Sequence, residues 1–176
     1  RPVLVFDGDN LPAKKGKEIE RKRSREENKR MADKCYKNGK SSAARLHLAK
    51  SIDVTPFMAA KFIKFVRERR PNVEMIVAPY EADAQLGYLN KNGAIDAVIT
   101  EDSDMLLFGC ERVIFKLDKA GFGKEIVLRN IFEMRNDEME MRNMKMEQFK
   151  LICAVSGCDY LPSVPGIGLK NAYKFV

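Results

Sequence analysis

The sequence has little histidine and no cysteine arrangement of the kind that binds zinc. Its only histidine is His47, and its four cysteines are scattered, with no C-x-x-C pair among Cys35, Cys110, Cys153 and Cys158. These absences disfavour a zinc site, and they disfavour Ser-His-Asp or Cys-His catalysis. Cysteines without a disulfide pattern are typical of proteins in a reducing compartment, and we expect these four to be small core residues.

Long apolar runs are also missing. The mean hydropathy is -0.36 and no run approaches the length of a membrane span, so we expect no membrane association. At 176 residues and 45% apolar content, the chain has the length of a single domain and can form a core. It opens within a strand pattern without Met and stops inside a helical pattern, so we expect truncation at both ends.

The positive charge is concentrated in one segment. Residues 11–50 hold 14 Lys or Arg against 5 Asp or Glu, whereas the rest of the chain has a net charge of -2. A basic segment joined to a mildly acidic body indicates a polyanionic partner that binds mainly to this segment. A solvated charged helix is the commoner explanation of such a run. Because acids are few in this one, nucleic acid is favoured.

The order of the apolar runs predicts an α/β fold with a mostly parallel sheet flanked by helices. Strands are expected at residues 2–6, 73–78, 95–100 and 112–117. Helix formers dominate residues 13–50 with a break near Asn38-Gly39, and Thr55 can cap a helix from Pro56 to Arg69. Further helices are expected at residues 80–91, 129–143, 146–156 and from about 168.

Acidic residues follow three of the predicted strands. They are Asp7 after the first strand, Glu81 and Asp83 after the second, and Asp102 and Asp104 after the third. Sites in open α/β sheets form outside the carboxyl ends of the strands, so we expect these acids at one edge. Asp159 could approach that edge from the helical region. A single acid at such a turn is usually a helix cap, but the i,i+2 spacing lets at most one member of each pair act as a cap.

A cation would explain why so many carboxylates gather at one edge. Neighbouring carboxylates repel and raise each other's pKa unless a cation neutralises them. With no His or Cys available, an all-oxygen site selects Mg²⁺ or Mn²⁺. Two such ions roughly 3.5–4 Å apart would stabilise the attacking and leaving oxygens of a phosphodiester. The basic segment and the acidic edge then have one explanation: the protein binds DNA or RNA and cuts it.

Four motifs, in order along the chain, resemble the flap endonuclease superfamily of structure-specific 5′ nucleases. They are VFDG (5–8), APYEADAQ (78–85), ITEDSD (99–104) and SGCDYLPSVPGIG (156–168). SGCDY and the LVFDG…LPxKK context look most like the exonuclease-1 branch. The resemblance implies a PIN-like nuclease core over residues 1–128 that includes a basic helical arch at 13–50. It also implies a helical region at 129–176 with a helix-two-turn-helix.

The resemblance assigns the six acids to metal binding. Asp7, Glu81, Asp83, Asp102, Asp104 and Asp159 match the family's ligands for two Mg²⁺ ions, which Mn²⁺ can replace. One further family aspartate would precede the strand that opens this chain. Glu101 does not match any ligand of the family. We expect Glu101 to be a surface acid or an acid that supports the ligands.

Two cations and a glycine-rich turn have further implied roles. Lys14 and Arg21 match arch cations over the scissile phosphate, where positive charge offsets charge in the transition state. Their spacing of seven fits one helix face, although ordinary surface basicity is the alternative. The segment PGIGLKNA (165–172) suits phosphate binding at a helix N-terminus, although a plain helix start is commoner. The resemblance implies a clamp on uncleaved duplex, formed by Gly166, Gly168 and Lys170. It also implies a K⁺ site, formed by Ser156, Ser163 and the carbonyl of Ile167.

Together these expectations describe a Mg²⁺-dependent 5′→3′ exonuclease and 5′-flap endonuclease. Its substrates would be 5′ flaps, nicked or gapped duplexes and 5′ ends in the nucleus. Analogy alone adds mismatch repair, replication and recombination, with mismatch-repair proteins as partners. The alternatives are a flap endonuclease or junction-resolving relative with little exonuclease activity, or a catalytically silent nucleic-acid-binding scaffold. A silent scaffold is expected to have lost some of the acids, and all six are present.

Overall fold

The computed structural model describes residues 1–135, 139–161 and 164–176. The chain divides into two compact units, which are described separately here. The first comprises Arg1–Pro2 and Asn10–Met75, and the second comprises Val3–Asp9 and Ile76–Val176. The predicted division at residue 128 stays a prediction. No helix among the described residues is long and apolar enough to cross a membrane.

The first unit, all of whose residues are described, consists mainly of helices, with the first two residues of one strand at its end. A 3-10 turn at Pro12–Lys14 leads into α1 (Lys15–Lys37), which is followed by α2 (Ser41–Ser51) and α3 (Pro56–Arg69). The predicted break is confirmed, because Gly39 follows α1 with a φ of 71°, a left-handed conformation typical of helix ends. Helix α3 has the predicted bounds, and Thr55 caps it by accepting a hydrogen bond from the Met58 amide at 3.3 Å.

Helices α1 and α2 are joined by small buried side chains and a polar contact. Ala32 of α1 and Ala44 of α2 are both buried. His47 Nδ1 lies 2.9 Å from Asn28 Oδ1, which links the two helices by a hydrogen bond. The single histidine therefore has a structural partner, and this contact accounts for it without catalysis.

The strands of the described residues form two sheets. Strands β1 (Val3–Phe6) and β2 (Glu74–Val77) form one sheet. Strands β3 (Val98–Ile99), β4 (Arg112–Phe115) and β5 (Lys124–Val127) form the other in that order. Strand β4 pairs in parallel with β3 and antiparallel with β5. The prediction of one mostly parallel sheet is therefore wrong in its detail. Strand β5 was missed because three of its four residues are exposed, so it lacks an apolar run.

The remaining helices of the second unit surround a small core. They are α4 (Ala82–Lys91), α5 (Asp104–Leu107), α6 (Leu128–Ile131), α7 (Met146–Ser156) and α8 (Leu169–Phe175). The buried cluster comprises Val98, Met105, Leu106, Cys110, Val113 and Leu128. Cys110 is thus a core residue as predicted, whereas the other three cysteines are only half-buried. Val98 of β3 and Met105 and Leu106 of α5 belong to this core, so the ITEDSD motif at residues 99–104 is anchored to the core on both sides.

The helix predicted over residues 129–143 is wrong. Helix α6 ends at Ile131, and Arg135 and Glu140 form an isolated antiparallel bridge; residues 136–138 lie outside the described part. The Met141 amide donates to the Met134 carbonyl at 3.0 Å, and Met141 is buried. Asn143 is left-handed, with a φ of 63°. Met141 is thus a packing residue, and the pairing of Arg135 with Glu140 is that of extended chain, not of one continuous helix.

Gly8 allows two backbone segments to approach closely next to the first acid. Its amide donates to the Tyr80 carbonyl at 2.6 Å, and the Asp9 amide donates to the Pro79 carbonyl at 3.1 Å. A Cβ atom at Gly8 would overlap the Ala78 carbonyl oxygen and lie 2.8 Å from the Pro79 carbonyl carbon. Because backbone atoms cannot rotate away, a larger residue must displace the chain between β2 and α4.

We expect Gly8→Ala to lower the free energy of unfolding by about 1–3 kcal/mol, because it overpacks this contact. Urea unfolding of the full-length protein measures the change. Gly16→Ala is the control, since the added Cβ in α1 would have no atom within 4 Å apart from its chain neighbours and the nearby backbone of its own helix. That change should be neutral or stabilise the protein by up to about 1 kcal/mol. Equal stability of Gly8→Ala and wild type would show that the approach is not tight.

Candidate metal centre

Three of the predicted acids lie at or beside the start of α4. Asp7 follows β1, and its Oδ1 accepts a hydrogen bond from the Ala82 amide at 2.8 Å, although 75 residues separate the two. Ala82 is the first residue of α4, where the amides lack intrahelical partners. Glu81 is the N-cap residue and Asp83 lies in the first turn. All three acids therefore lie at one helix N-terminus, where the helix dipole favours negative charge.

The side chain of Glu81 contacts a distant segment. It makes no capping hydrogen bond to α4, and its Oε2 accepts a hydrogen bond from the Tyr160 hydroxyl at 2.8 Å. Tyr160 directly follows Asp159, so this bond brings the SGCDY turn to the start of α4. Sequence reasoning assigned no role to Tyr160. Its place beside a predicted ligand was the one available signal.

The ITEDSD motif forms a tight turn at the start of α5. The Asp102 amide donates to Thr100 Oγ1 at 3.0 Å, and Asp102 Oδ1 accepts a hydrogen bond from the Asp104 amide at 2.9 Å. Asp104 is the first residue of α5 and is half-buried. Asp102 is not the N-cap residue of α5, which is Ser103, but its side chain forms a local hydrogen bond in the turn before this helix. The same contact fixes its carboxylate at the helix start, next to Asp104.

Two thiols show where Asp83 and Asp104 lie. Burial raises the pKa of Cys110, and the negative charge of Asp83 raises it further. Burial also raises the pKa of Cys153, with smaller contributions from Asp104 and Cys158. Asp83 thus lies near the core cysteine, and Asp104 lies near α7. Since a raised pKa keeps both thiols protonated at neutral pH, neither offers the thiolate that soft metals prefer.

The structure brings the predicted acids together in part. Asp7, Glu81 and Asp83 share the start of α4, Asp102 and Asp104 share the start of α5, and Asp159 adjoins the tyrosine that contacts Glu81. In residues 1–135, 139–161 and 164–176, no three His, Cys, Asp or Glu side chains are arranged to hold a metal ion. The ligand set therefore stays a prediction. The chemical type of these side chains suits Mg²⁺, because all are exposed or half-buried carboxylates and Mg²⁺ prefers oxygen ligands.

Glu101 has a structural role. Its Oε1 accepts a hydrogen bond from the Lys116 amide at 2.9 Å. Lys116 has a φ of 54°, a left-handed conformation that is uncommon for lysine. Glu101 therefore stabilises the chain where β4 ends, and this contact accounts for the acid without metal binding.

The two predicted phosphate-binding cations belong to the first unit. Lys14 ends the 3-10 turn and directly precedes α1, and it is 8% exposed. Arg21 is exposed on α1 and forms an ion pair with Glu18 at 2.9 Å. Helix α1 buries only Ala32, so most of its basic side chains face solvent. The catalytic roles of Lys14 and Arg21 stay predictions.

The predicted duplex clamp lies between α7 and α8. Gly166 has a φ of 79°, which glycine adopts readily, and Gly168 is the N-cap residue of α8. Lys170 is exposed in the first turn of that helix. The arrangement is a glycine turn before a helix start, as predicted. Contact with DNA stays a prediction.

Two of the three residues predicted to bind K⁺ are described. Ser156 Oγ donates to the Cys153 carbonyl at 2.9 Å, within the last turn of α7. The Ile167 amide donates to the Val164 carbonyl at 3.0 Å. Ser163 lies outside the described residues. The monovalent cation site therefore also stays a prediction.

A family comparison covers the acidic region. Residues 72–159 match the model of the XPG I-region, and this range contains Glu81, Asp83, Asp102, Asp104 and Asp159. The chain belongs to the XPG I-region family. The acids assigned from the sequence thus lie in the segment by which this family is defined, apart from Asp7.

Similarity to curated proteins confirms the resemblance to the exonuclease-1 branch. Exonuclease 1 of Oryza sativa subsp. japonica is 44% identical over 176 residues, which is 100% of this chain and 21% of that protein. The chain thus spans about a fifth of the length of this relative.

Solved structures confirm a mixed helix-and-sheet nuclease fold. Flap endonuclease-1 from Methanococcus jannaschii superposes with a TM-score of 0.63 at 28% identity, covering 99% of this chain and 53% of that one. The catalytic core of Rad2 in complex with DNA substrate superposes with a TM-score of 0.66 at 23% identity, covering 99% of this chain and 46% of that chain. The second likeness concerns the fold alone.

Proposed function

We propose that the protein is a Mg²⁺-dependent, structure-specific DNA nuclease with 5′→3′ exonuclease and 5′-flap endonuclease activity. The observation that carries this proposal is the XPG I-region match, which contains five of the six predicted metal acids. Asp7 supports it from outside the matched range, because it is hydrogen-bonded to the same helix start as Glu81 and Asp83. The similarity to exonuclease 1 favours this branch over other relatives.

The proposed cation site uses the carboxylates at the starts of α4 and α5. Its ligands would be Asp7, Glu81, Asp83, Asp102, Asp104 and Asp159. Two Mg²⁺ ions held by these carboxylates would supply positive charge to stabilise the attacking and leaving oxygens of a phosphodiester. The chain contributes rigidity, because hydrogen bonds hold Asp7 to the Ala82 amide and Asp102 to the Asp104 amide. Fixed carboxylates need little reorganisation during the reaction.

The proposed DNA contacts are basic or rich in backbone amides. Solvent-facing Lys and Arg side chains of residues 11–50 would bind phosphates, with an affinity that falls as salt increases. Lys14 and Arg21 would offset charge on the scissile phosphate in the transition state. Helices α7 and α8 would form a helix-two-turn-helix that holds uncleaved duplex through Gly166, Gly168 and Lys170. A K⁺ ion would bind at Ser156, Ser163 and Ile167.

The cellular setting follows from the proposed branch. A 5′ exonuclease that acts on nicks, gaps and flaps suits mismatch repair, replication and recombination in the nucleus. Mismatch-repair proteins are then the expected partners. Both statements rest on analogy with relatives of which this chain covers a fifth.

Cleavage assays on the full-length protein test the proposal. Labelled 5′-flap, 3′-flap and nicked duplexes should be incubated with Mg²⁺ or with a chelator. We expect the 5′ flap and the nicked strand to be cut in Mg²⁺, the 3′ flap to stay intact, and all cleavage to stop with chelator. Cleavage that persists in chelator contradicts metal dependence.

The same substrates separate the alternatives. Strong cutting of the flap with little degradation from the nick indicates a flap endonuclease. Preferential cutting of a four-way junction indicates a junction-resolving relative. Duplex binding without cleavage under any metal condition indicates a silent scaffold, despite the six acids.

A further inference from the structure

Asp159 and Tyr160 are the two central residues of a tight turn. The Cys158 amide donates to the Leu161 carbonyl at 3.4 Å, and the Leu161 amide donates to the Cys158 carbonyl at 3.3 Å. These two bonds form an isolated antiparallel bridge. The bridge limits the freedom of both central residues, so a contact made by Tyr160 also restrains Asp159.

The Tyr160 hydroxyl makes such a contact with a predicted ligand 79 residues away. It donates to Glu81 Oε2 at 2.8 Å. Hydrogen bonds from a hydroxyl to an ionised carboxylate are short and stronger than neutral ones. Glu81 makes no capping bond to α4, so its carboxylate is not occupied as a helix cap when it accepts the hydrogen bond from Tyr160.

The position of Glu81 is thus restrained on two sides. Asp7 accepts a hydrogen bond from the amide of the next residue, Ala82, and Tyr160 donates to the Glu81 carboxylate. An ionised carboxylate offers about four lone-pair sites, so a hydrogen bond from Tyr160 is compatible with binding a cation. Residues that orient the ligands of a metal in this way control its affinity.

We propose that Tyr160 is a positioning residue that orients the Glu81 carboxylate for the divalent cation and links it to Asp159. This inference rests on the proposed function. A purely structural tie is the competing explanation, in which the bond holds the SGCDY turn to α4 without affecting metal binding. The two explanations differ in what they predict for the affinity of the protein for the cation, which depends on the Tyr160 hydroxyl only if Tyr160 is a positioning residue.

Tyr160→Phe in the full-length protein tests the inference. It removes the hydroxyl and keeps the ring, so the variant should fold. Mn²⁺ binding, measured by calorimetry without DNA, should weaken by about 10-fold or more. The Mg²⁺ concentration for half-maximal cleavage should rise by a similar factor, whereas duplex affinity in chelator should not change. Tyr88→Phe is the matched control, because Tyr88 on α4 is 65% exposed.

The outcomes separate this inference from the proposed function. Wild-type Mn²⁺ affinity and Mg²⁺ dependence in Tyr160→Phe overturn the inference. A lower melting temperature with unchanged Mn²⁺ affinity overturns it too, in favour of the structural tie. In both cases an active wild type leaves the nuclease proposal standing. A wild-type protein that neither binds Mn²⁺ nor cleaves DNA overturns both.

Discussion

Replacing Asp102 with asparagine should reduce single-turnover cleavage of a 5′ flap by about 10³-fold, a loss expected when a major source of electrostatic stabilisation is removed. Asparagine retains the Oδ1 that accepts the hydrogen bond from the Asp104 amide at 2.9 Å, so the turn before α5 should persist. The variant loses only the negative charge that a cation requires. Binding to duplex DNA in chelator should equal that of the wild type.

Asp102→Ala separates the charge from the hydrogen bond to the Asp104 amide. Alanine removes both, so this variant should be as inactive as Asp102→Asn and also less stable by about 1 kcal/mol, the usual contribution of one hydrogen bond. Asp118→Asn is the matched control. Its Oδ1 accepts hydrogen bonds from the Ala120 and Phe122 amides at 2.8 and 2.9 Å in a similar local turn, and it is not a predicted ligand. Asp118→Asn should cleave at the wild-type rate. An Asp102→Asn enzyme with full activity would refute the metal role of Asp102.

Lys14→Ala and Arg21→Ala should each slow single-turnover cleavage by about 10²-fold and change DNA affinity much less. The reason is that charge aimed at a developing oxyanion acts mainly on the transition state. A generic phosphate contact behaves differently: its loss weakens binding and lowers the slope of log affinity against log salt by about one. Rates at saturating protein, together with affinities in chelator at several salt concentrations, distinguish the two.

Two neighbours on α1 provide controls for this test. Arg23→Ala removes an exposed cation that has no predicted catalytic role, so it should weaken binding slightly and leave the rate unchanged. Glu18→Gln removes the negative charge of the 2.9 Å ion pair with Arg21 and should also leave the rate unchanged. Lys14 is buried, so thermal unfolding must show that Lys14→Ala is folded. If Arg21→Ala and Arg23→Ala behave alike, Arg21 is an ordinary phosphate contact.

Local signals in the sequence predicted much of the fold. Helix α3 begins and ends as expected because Thr55 and Pro56 mark its start chemically. The break after α1 was also visible, since Gly39 adopts a conformation that favours glycine. Strand β5 and the bridge between Arg135 and Glu140 were not predicted. Both depend on pairing with other parts of the chain. The residues that form them look like ordinary loop or helix formers, so the sequence carries no local signal for either.

The candidate site shows the same limit. The order of strands and acids indicated that Asp7, Glu81 and Asp102 follow strand ends. It did not indicate that the strands would form two sheets, nor which acids would meet. The contacts that decide this, Asp7 with Ala82 and Tyr160 with Glu81, span 75 and 79 residues. No local periodicity encodes contacts over such distances, so only the three-dimensional structure could give Tyr160 a role.

The central claim is that these carboxylates bind divalent cations, and anomalous diffraction from crystals of the full-length protein with Mn²⁺ and DNA tests it most directly. The account predicts two anomalous peaks roughly 3.5–4 Å apart, each with carboxylate oxygens from the six acids as ligands. It also predicts that Asp102→Asn weakens at least one peak. Peaks elsewhere, or no peak beside the starts of α4 and α5, would contradict the account.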